Sequence, residues 1–315
     1  MGLNVPTSSA SGIGRRAFLS GATAAGALAA LGGCAHAQEP APARIVRNDR
    51  IKQGLWRVNF GVGFGDGPQP FTVEEMCQEA SRLGAHGFDL LSLDDIPTLE
   101  RHDLKLLLTG MANVDFLTGL IHAEVHDDYV AAARPHIAHV AALGVPAIAV
   151  NAGQLRGLSY AEAADNAVAL LTRVAEPLEE HGVVLCIENV NDRRAAEPSL
   201  GREDMAFGNW EWGMDVVERV DSPNVTLLCD LYHLQIMDGD VERHIRDSIH
   251  RIGHMHVAGV PTRAEIDDTQ ELNFRYLAEV IASLDYDGYV SHEWRPSPGR
   301  DPLESLAQAM AIMDV

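Results

Sequence analysis

From residue 51 onward, short apolar runs alternate with longer segments whose apolar positions recur every three or four residues. The short runs are WRVNFGV (56–62), GFDLLSL (87–93), LKLLLTG (104–110), AIAVNAG (147–153), VVLCIENV (183–190), VTLLCDL (225–231), GHMHVAG (253–259) and YVSHEW (289–294). Nearly continuous apolar runs of this length suit strands of a parallel sheet covered on both faces. The segments between them carry helical periodicity. TVEEMCQEASRLGAHG opens on Thr72 with Glu75 three places on, a capping-box pair, and stops at a glycine. DDYVAAARPHIAHVAALG, YAEAADNAVALLTRVAEPLEEHG, WEWGMDVVERV, VERHIRDSIHRIG, LNFRYLAEVIASLDYDG and LESLAQAMAIM follow the same pattern. Pro135 and Pro177 fall inside two of these and are expected to kink them. In the third unit FLTGLI (116–121) competes as a strand.

Eight such units predict an α/β fold, a (β/α)8 TIM barrel forming a single domain over residues 51–315. The rival is a doubly wound open sheet. A dinucleotide-binding version of it needs G-x-G-x-x-G after the first strand, and GVGFGDG lacks that spacing.

The first residues are a different material. GRRAFLSGATAAGALAALGGCAHA joins an arginine pair to a small-residue apolar stretch and an A-x-A site. Arg15-Arg16 followed by Phe18-Leu19 reads as a twin-arginine signal peptide over residues 1–37, with a linker at 38–50 and a periplasmic destination. Cleavage after Ala37 competes with a lipobox at Leu31-Gly32-Gly33-Cys34, which would leave Cys34 lipid-anchored. The mature chain is then expected to carry no membrane-spanning segment.

Without residues 1–37 the chain keeps 22 basic against 45 acidic residues. A surface that negative repels phosphate backbones and anionic lipid, which argues against nucleic-acid partners but does not itself identify a substrate. A homo-oligomer stays open. Cys186 lies two positions before Glu188, and Cys229 one position before Asp230. If the two acids share a face, the thiols point to opposite faces, so no disulfide is expected between them.

In a barrel of this kind, chemistry sits at the C-terminal ends of the strands. Four successive strand ends carry Glu188, Asp230, His256 and Glu293, about one βα unit apart. Each acid alone could cap the following helix. Four in register are better explained by a shared divalent cation, which would satisfy three costly buried carboxylates and an imidazole at once. In IGHMHVAG, His254 and His256 lie two apart and face the same way. His256 is nearer the mouth and is assigned as the ligand. His254, one layer below, is expected to bond a ligand carboxylate in support.

The motifs IENVND, CDLYHLQIMDGD, IGHMHVAGVPTRAE and DGYVSHEWRP resemble hydroxypyruvate isomerase and its relatives in the xylose isomerase-like TIM-barrel superfamily, over roughly residues 50–313. That resemblance implies one divalent ion, manganese or magnesium with zinc or cobalt as alternatives, on Glu188, Asp230, His256 and Glu293. It also implies Glu188 and Glu293 as the proton-transfer pair, with His233 and Arg263 touching the substrate. The expected reaction is isomerisation or epimerisation of a small hydroxy-carbonyl compound or sugar through an enediolate. Two features depart from the pattern: hydroxypyruvate isomerases often carry glutamine where His256 stands, and export is unusual for such metabolism. A lyase of the same superfamily and a non-catalytic periplasmic sugar-binding barrel are the alternatives. Arg263 could instead pair with Glu265 or Asp267, and His233 with backbone. His122 and His126 are left outside the site.

Overall fold

The computed structural model describes residues 45–63, 69–112, 115, 117–193 and 204–315. The leader, both cleavage sites and most of the linker lie outside the described residues. The eight apolar runs fold as parallel strands: β1 (Lys52–Trp56), β2 (Gly87–Asp89), β3 (Lys105–Gly110), β4 (Ala147–Asn151), β5 (Val184–Glu188), β6 (Val225–Asp230), β7 (Ile252–Val257) and β8 (Tyr289–His292). Each pairs with the next, and β8 returns to β1 to close the barrel. The helices are α1 (Val73–Leu83), α2 (Ile96–Arg101), α3 (His126–Ala142), α4 (Tyr160–His181), α5 (Trp210–Val220), α6 (Leu231–Met237), α7 (Val241–Ser248), α8 (Phe274–Ser283) and α9 (Pro302–Met313). None of the described helices is long and apolar enough to cross a membrane.

Local chemistry sets most boundaries. Thr72 and Glu75 form the expected capping box of α1, and Gly84 ends that helix in the left-handed region at φ 93°. Ser159 and Glu162 cap α4 in the same way. Both α3 and α4 continue on either side of their internal prolines. The first strand lies earlier than the periodicity suggests. Asn59 accepts a hydrogen bond from the Trp56 backbone N–H (2.7 Å) and donates to the Trp294 carbonyl (2.8 Å), turning Arg57–Phe60 into a 3-10 helix. The competing strand in FLTGLI is a turn over residues 117–120, because the Asp115 carboxylate accepts from the backbone N–H groups of Leu117 and Thr118.

Side-chain alternation sorts each strand into two faces. One face, with Leu185, Leu227, Cys229, Met255 and Val290, joins the large core between sheet and helices. The other faces the lumen, where Leu108, Ala147, Cys186 and Leu228 make a small separate apolar cluster. Two residues above Cys186 and Leu228 stand Glu188 and Asp230. Cys186 and Cys229 therefore lie on opposite faces, and both are free thiols. At the other end of the strands the Asp314 carboxylate accepts from the backbone N–H groups of Arg47, Asn48 and Asp49, tying the start of the barrel domain to its last residues.

Gly54 in β1 pairs with Ser291 in β8. A Cβ there would lie 2.1 Å from Ser291 Oγ and 2.7 Å from a Leu107 methyl. Gly54→Ala is expected to destabilise the barrel by about 1–3 kcal/mol, read as a lower urea midpoint; an unchanged midpoint would mean that the lumen yields at that layer.

Candidate active site

Glu188 ends β5, Asp230 ends β6, His256 is the penultimate residue of β7, and Glu293 follows β8. The closed barrel brings these four together, with one potential ligand atom from each lying within 4.8 Å of the others. Asp230, His256 and Glu293 are buried, whereas Glu188 is half-buried. His256 Nδ1 faces the carboxylates, 2.9 Å from Glu293 Oε2 and 3.8 Å from Glu188 Oε1.

Neighbouring amides hold two of the acids. Asn151, at the end of β4, donates to Glu188 Oε2 (3.1 Å). Asn189 grips the Asp230 backbone from both sides, accepting from its N–H (2.8 Å) and donating to its carbonyl (3.1 Å). The two readings of Asp230 are compatible, because its oxygens divide the work. Oδ1 caps α6 by accepting from the backbone N–H groups of Tyr232 (2.8 Å) and His233 (3.3 Å), while Oδ2 turns toward the cluster.

The electrostatics are those of crowded, desolvated acids. Burial pushes the Asp230 carboxyl well above the usual range, and the charges of Glu293 and Glu188 add to that push. Burial also opposes ionisation of Glu293, but the Arg263 guanidinium and His256 outweigh it and hold that carboxyl well below the usual range. Burial would lower His256, yet Glu293 and Asp89 raise it well above an ordinary imidazole. Asp230 Oδ2, His256 Nδ1 and Glu293 Oε2 are nevertheless buried without an aligned hydrogen bond. Orphaned buried acceptors are expensive. Three carboxylates and one imidazole, all converging, make a donor set that fits a divalent cation.

Arg263 and His233 are both brought to this cluster. Arg263 Nη2 lies 2.5 Å from Glu293 Oε1 and 3.6 Å from Asp230 Oδ2. The acids that competed for it are taken by Arg300, 3.3 Å from Glu265 and 2.6 Å from Asp267. His233 Nδ1 accepts from the Asn191 backbone N–H (3.2 Å), so Nε2 carries the proton and faces Asp230 Oδ2 at 3.4 Å. His122 and His126 bond the backbone carbonyls of Gln154 (2.8 Å) and Leu120 (3.0 Å). Both are buried rather than solvated.

The expectation for His254 needs correction. Its Nε2 bonds none of the three cluster carboxylates. It reaches Asp89 Oδ2 (2.8 Å), which His256 Nε2 also reaches (3.0 Å). Sequence reasoning missed Asp89, Asn151 and Asn189. Their signal was present, since each is a polar residue at or just past a strand end; Asn189 even sits in IENVND beside Glu188, whereas Asp89 and Asn151 lie in none of the motifs that named ligands.

Comparison with known proteins finds a family model described as the xylose isomerase-like TIM barrel, matching residues 77–314. The chain is 37% identical over 129 residues to a 2-oxo-tetronate isomerase from Cupriavidus necator, covering 41% of this chain and 46% of that one. It is 29% identical over 234 residues to a Xenopus laevis protein provisionally named hydroxypyruvate isomerase, covering 72% of this chain and 78% of that one. The matched region thus spans about half the length of the first relative and over three quarters of the second. Among solved structures, an AP endonuclease of family 2 from Brucella melitensis superposes with a TM-score of 0.67 at 25% identity, over 82% of this chain and 97% of that one.

The Asp89 carboxyl supplies a pH test. Burial alone would raise it, but His254 and His256 hold it down at about 2, against an ordinary value of 3.8. A depressed folded value means the contribution is complete above about pH 4 and is lost as pH falls toward 2, and it is worth about 2 kcal/mol. Asp89→Asn in the metal-free protein should flatten the fall of urea stability across that window. Equal slopes for the two proteins would show that the imidazoles do not hold the carboxylate.

Proposed function

The chain belongs to the xylose isomerase-like TIM barrel family, and from that membership we propose that it is a divalent-metal-dependent isomerase or epimerase of a small hydroxy-carbonyl compound. The observation that carries this reading is the convergence of Glu188, Asp230, His256 and Glu293, with buried carboxylate oxygens of Asp230 and Glu293 left without an aligned hydrogen bond. These four residues would hold the ion, with manganese or magnesium as the proposed metal. When bound it supplies Lewis-acid stabilisation of negative charge developing on the substrate's carbonyl and hydroxyl oxygens.

The chain's own groups divide the remaining work. Glu188 Oε2 is oriented by Asn151, and its side chain keeps partial solvent contact, as suits a base that meets incoming substrate. It takes the proton from the carbon next to the carbonyl, giving an enediolate. Glu293, held ionised by Arg263 and His256, stands across the same space as the second member of the proton-transfer pair. It takes up a proton from a substrate hydroxyl as the enediolate forms and delivers it at the neighbouring carbon or on the opposite face, and the proton held by Glu188 then passes to that oxygen. Arg263 and the Nε2–H of His233 are charged and polar donors beside it, suited to a developing oxyanion or a substrate carboxylate. The names of the two sequence relatives favour 2-oxo acids as the first substrates to test. Residues 1–37 are proposed as a twin-arginine leader that exports the folded protein to the periplasm, with Cys34 as an alternative lipid anchor.

Metal analysis of the purified protein is expected to find about one divalent ion per chain. In deuterium oxide the loaded enzyme should exchange the proton α to the carbonyl of a responsive hydroxy-2-oxo acid or ketose. Glu188→Gln and Glu293→Gln should each reduce that exchange by about 100-fold or more. Exchange with no metal present would remove the metal from the reaction. Loss of water from the substrate would point to the lyase, and binding without any exchange to a sugar-binding barrel. N-terminal sequencing of exported protein should begin at Gln38, or fail on a lipidated Cys34.

A further inference from the structure

Asp89 lies across the lumen from β7, with β1 and β8 between them in the barrel. Its side chain is 1% exposed, and one oxygen, Oδ2, receives both His254 Nε2 and His256 Nε2. An ionised carboxylate can only accept, so each of these nitrogens carries a proton. For His256 this leaves Nδ1 as the atom presented to Glu188 and Glu293, 3.8 and 2.9 Å away. The two imidazoles stand edge to face, 5.2 Å apart at 88°, with Asp89 Oδ2 reached by the Nε2 of each.

The backbone is built irregularly at this point. β2 has three residues, and its pairing with β3 slips by one between Phe88 and Asp89. The next residue, Leu90, sits in the left-handed region at φ 55°. A bulky residue there costs about 1–2 kcal/mol, and such irregularities gather where a side chain must be aimed. Gly54, whose missing Cβ leaves space for Ser291 beside His254, keeps the lumen open for the crossing.

We propose that Asp89 is a positioning residue for the catalytic cluster: it fixes the ring of His256 from across the barrel, with His254 as its second anchor, so that Nδ1 is aimed at the ion-binding space. This rests on the metal-site reading above. Carboxylate partners of ligating imidazoles set ring orientation and basicity, and their loss typically weakens metal binding 10–100-fold.

The test is titration of metal-free protein with manganese, followed by electron paramagnetic resonance. Wild type should bind one ion per chain, and Asp89→Asn one ion about 10–100-fold more weakly. Ser291→Ala removes a contact to His254 but leaves Asp89 on His256, and it should keep wild-type affinity. Wild-type affinity in Asp89→Asn would overturn the assignment, as would an equal loss in Ser291→Ala, which would mark a general packing effect. Two ions per wild-type chain would also overturn it, by making Asp89, His254 and His256 ligands themselves. A wild type that binds no manganese would sink the metal reading and this inference together, whereas the preceding outcomes sink this inference alone. If Asp89→Asn does not fold, nitrogen-15 spectra of wild-type His256 decide. A downfield, slowly exchanging Nε2–H supports the link, and a proton on Nδ1 alone overturns it.

Discussion

Everything at the mouth of this barrel follows from the crowding of three carboxylates in a space where water is scarce. Glu188, Asp230 and Glu293 approach one another and the His256 ring within a few ångströms, and a desolvated charge needs a partner. Arg263 and His256 supply part of the compensation, which is why Glu293 stays ionised while Asp230 is pushed toward its neutral form. The compensation is incomplete, since acceptor atoms of Asp230 and Glu293 stay unmatched. Atoms so aimed at one point make the cluster a candidate cation site.

That constraint reaches down the lumen. Beneath the acids, the barrel interior has a small apolar plug on one side, with Cys186 and Leu228, and a polar column on the other, with Ser291, His254 and Asp89. Within the polar column both His254 Nε2 and His256 Nε2 reach Asp89 Oδ2, so the column ends on the imidazole that faces the cluster. On the outer side of the same strands the residues are ordinary aliphatic core. One strand therefore serves two tasks through side-chain alternation, packing helices outward and holding chemistry inward.

The loops above the strands are organised by the same economy of groups. Asp230 both caps α6 and faces the cluster, so the helix start and the site are fixed by one side chain. Arg300 occupies Glu265 and Asp267, and Ser297 donates to Glu265 from its backbone and hydroxyl, linking the segments after β7 and β8. With those acids engaged, Arg263 is directed to Glu293.

Periodicity and end signals were enough to read the eight strands, the barrel and the four convergent residues, because alternation and position within a βα unit are local properties of the chain. His256 was separable from His254 for the same reason, since two residues of strand rise decide which is nearer the mouth. Local reading failed where contacts cross the barrel. The end of β1 depends on Asn59 reaching the carbonyl of Trp294. The partner of His254 is Asp89, 165 residues away and not on a neighbouring strand. The choice of Arg263 between nearby acids was settled by Arg300, which reaches Glu265 and Asp267 from the far side of β8. Sequence determines which residues face the lumen at each strand end; only closure of the sheet decides which of them meet, because that depends on strands and loops far apart in the chain.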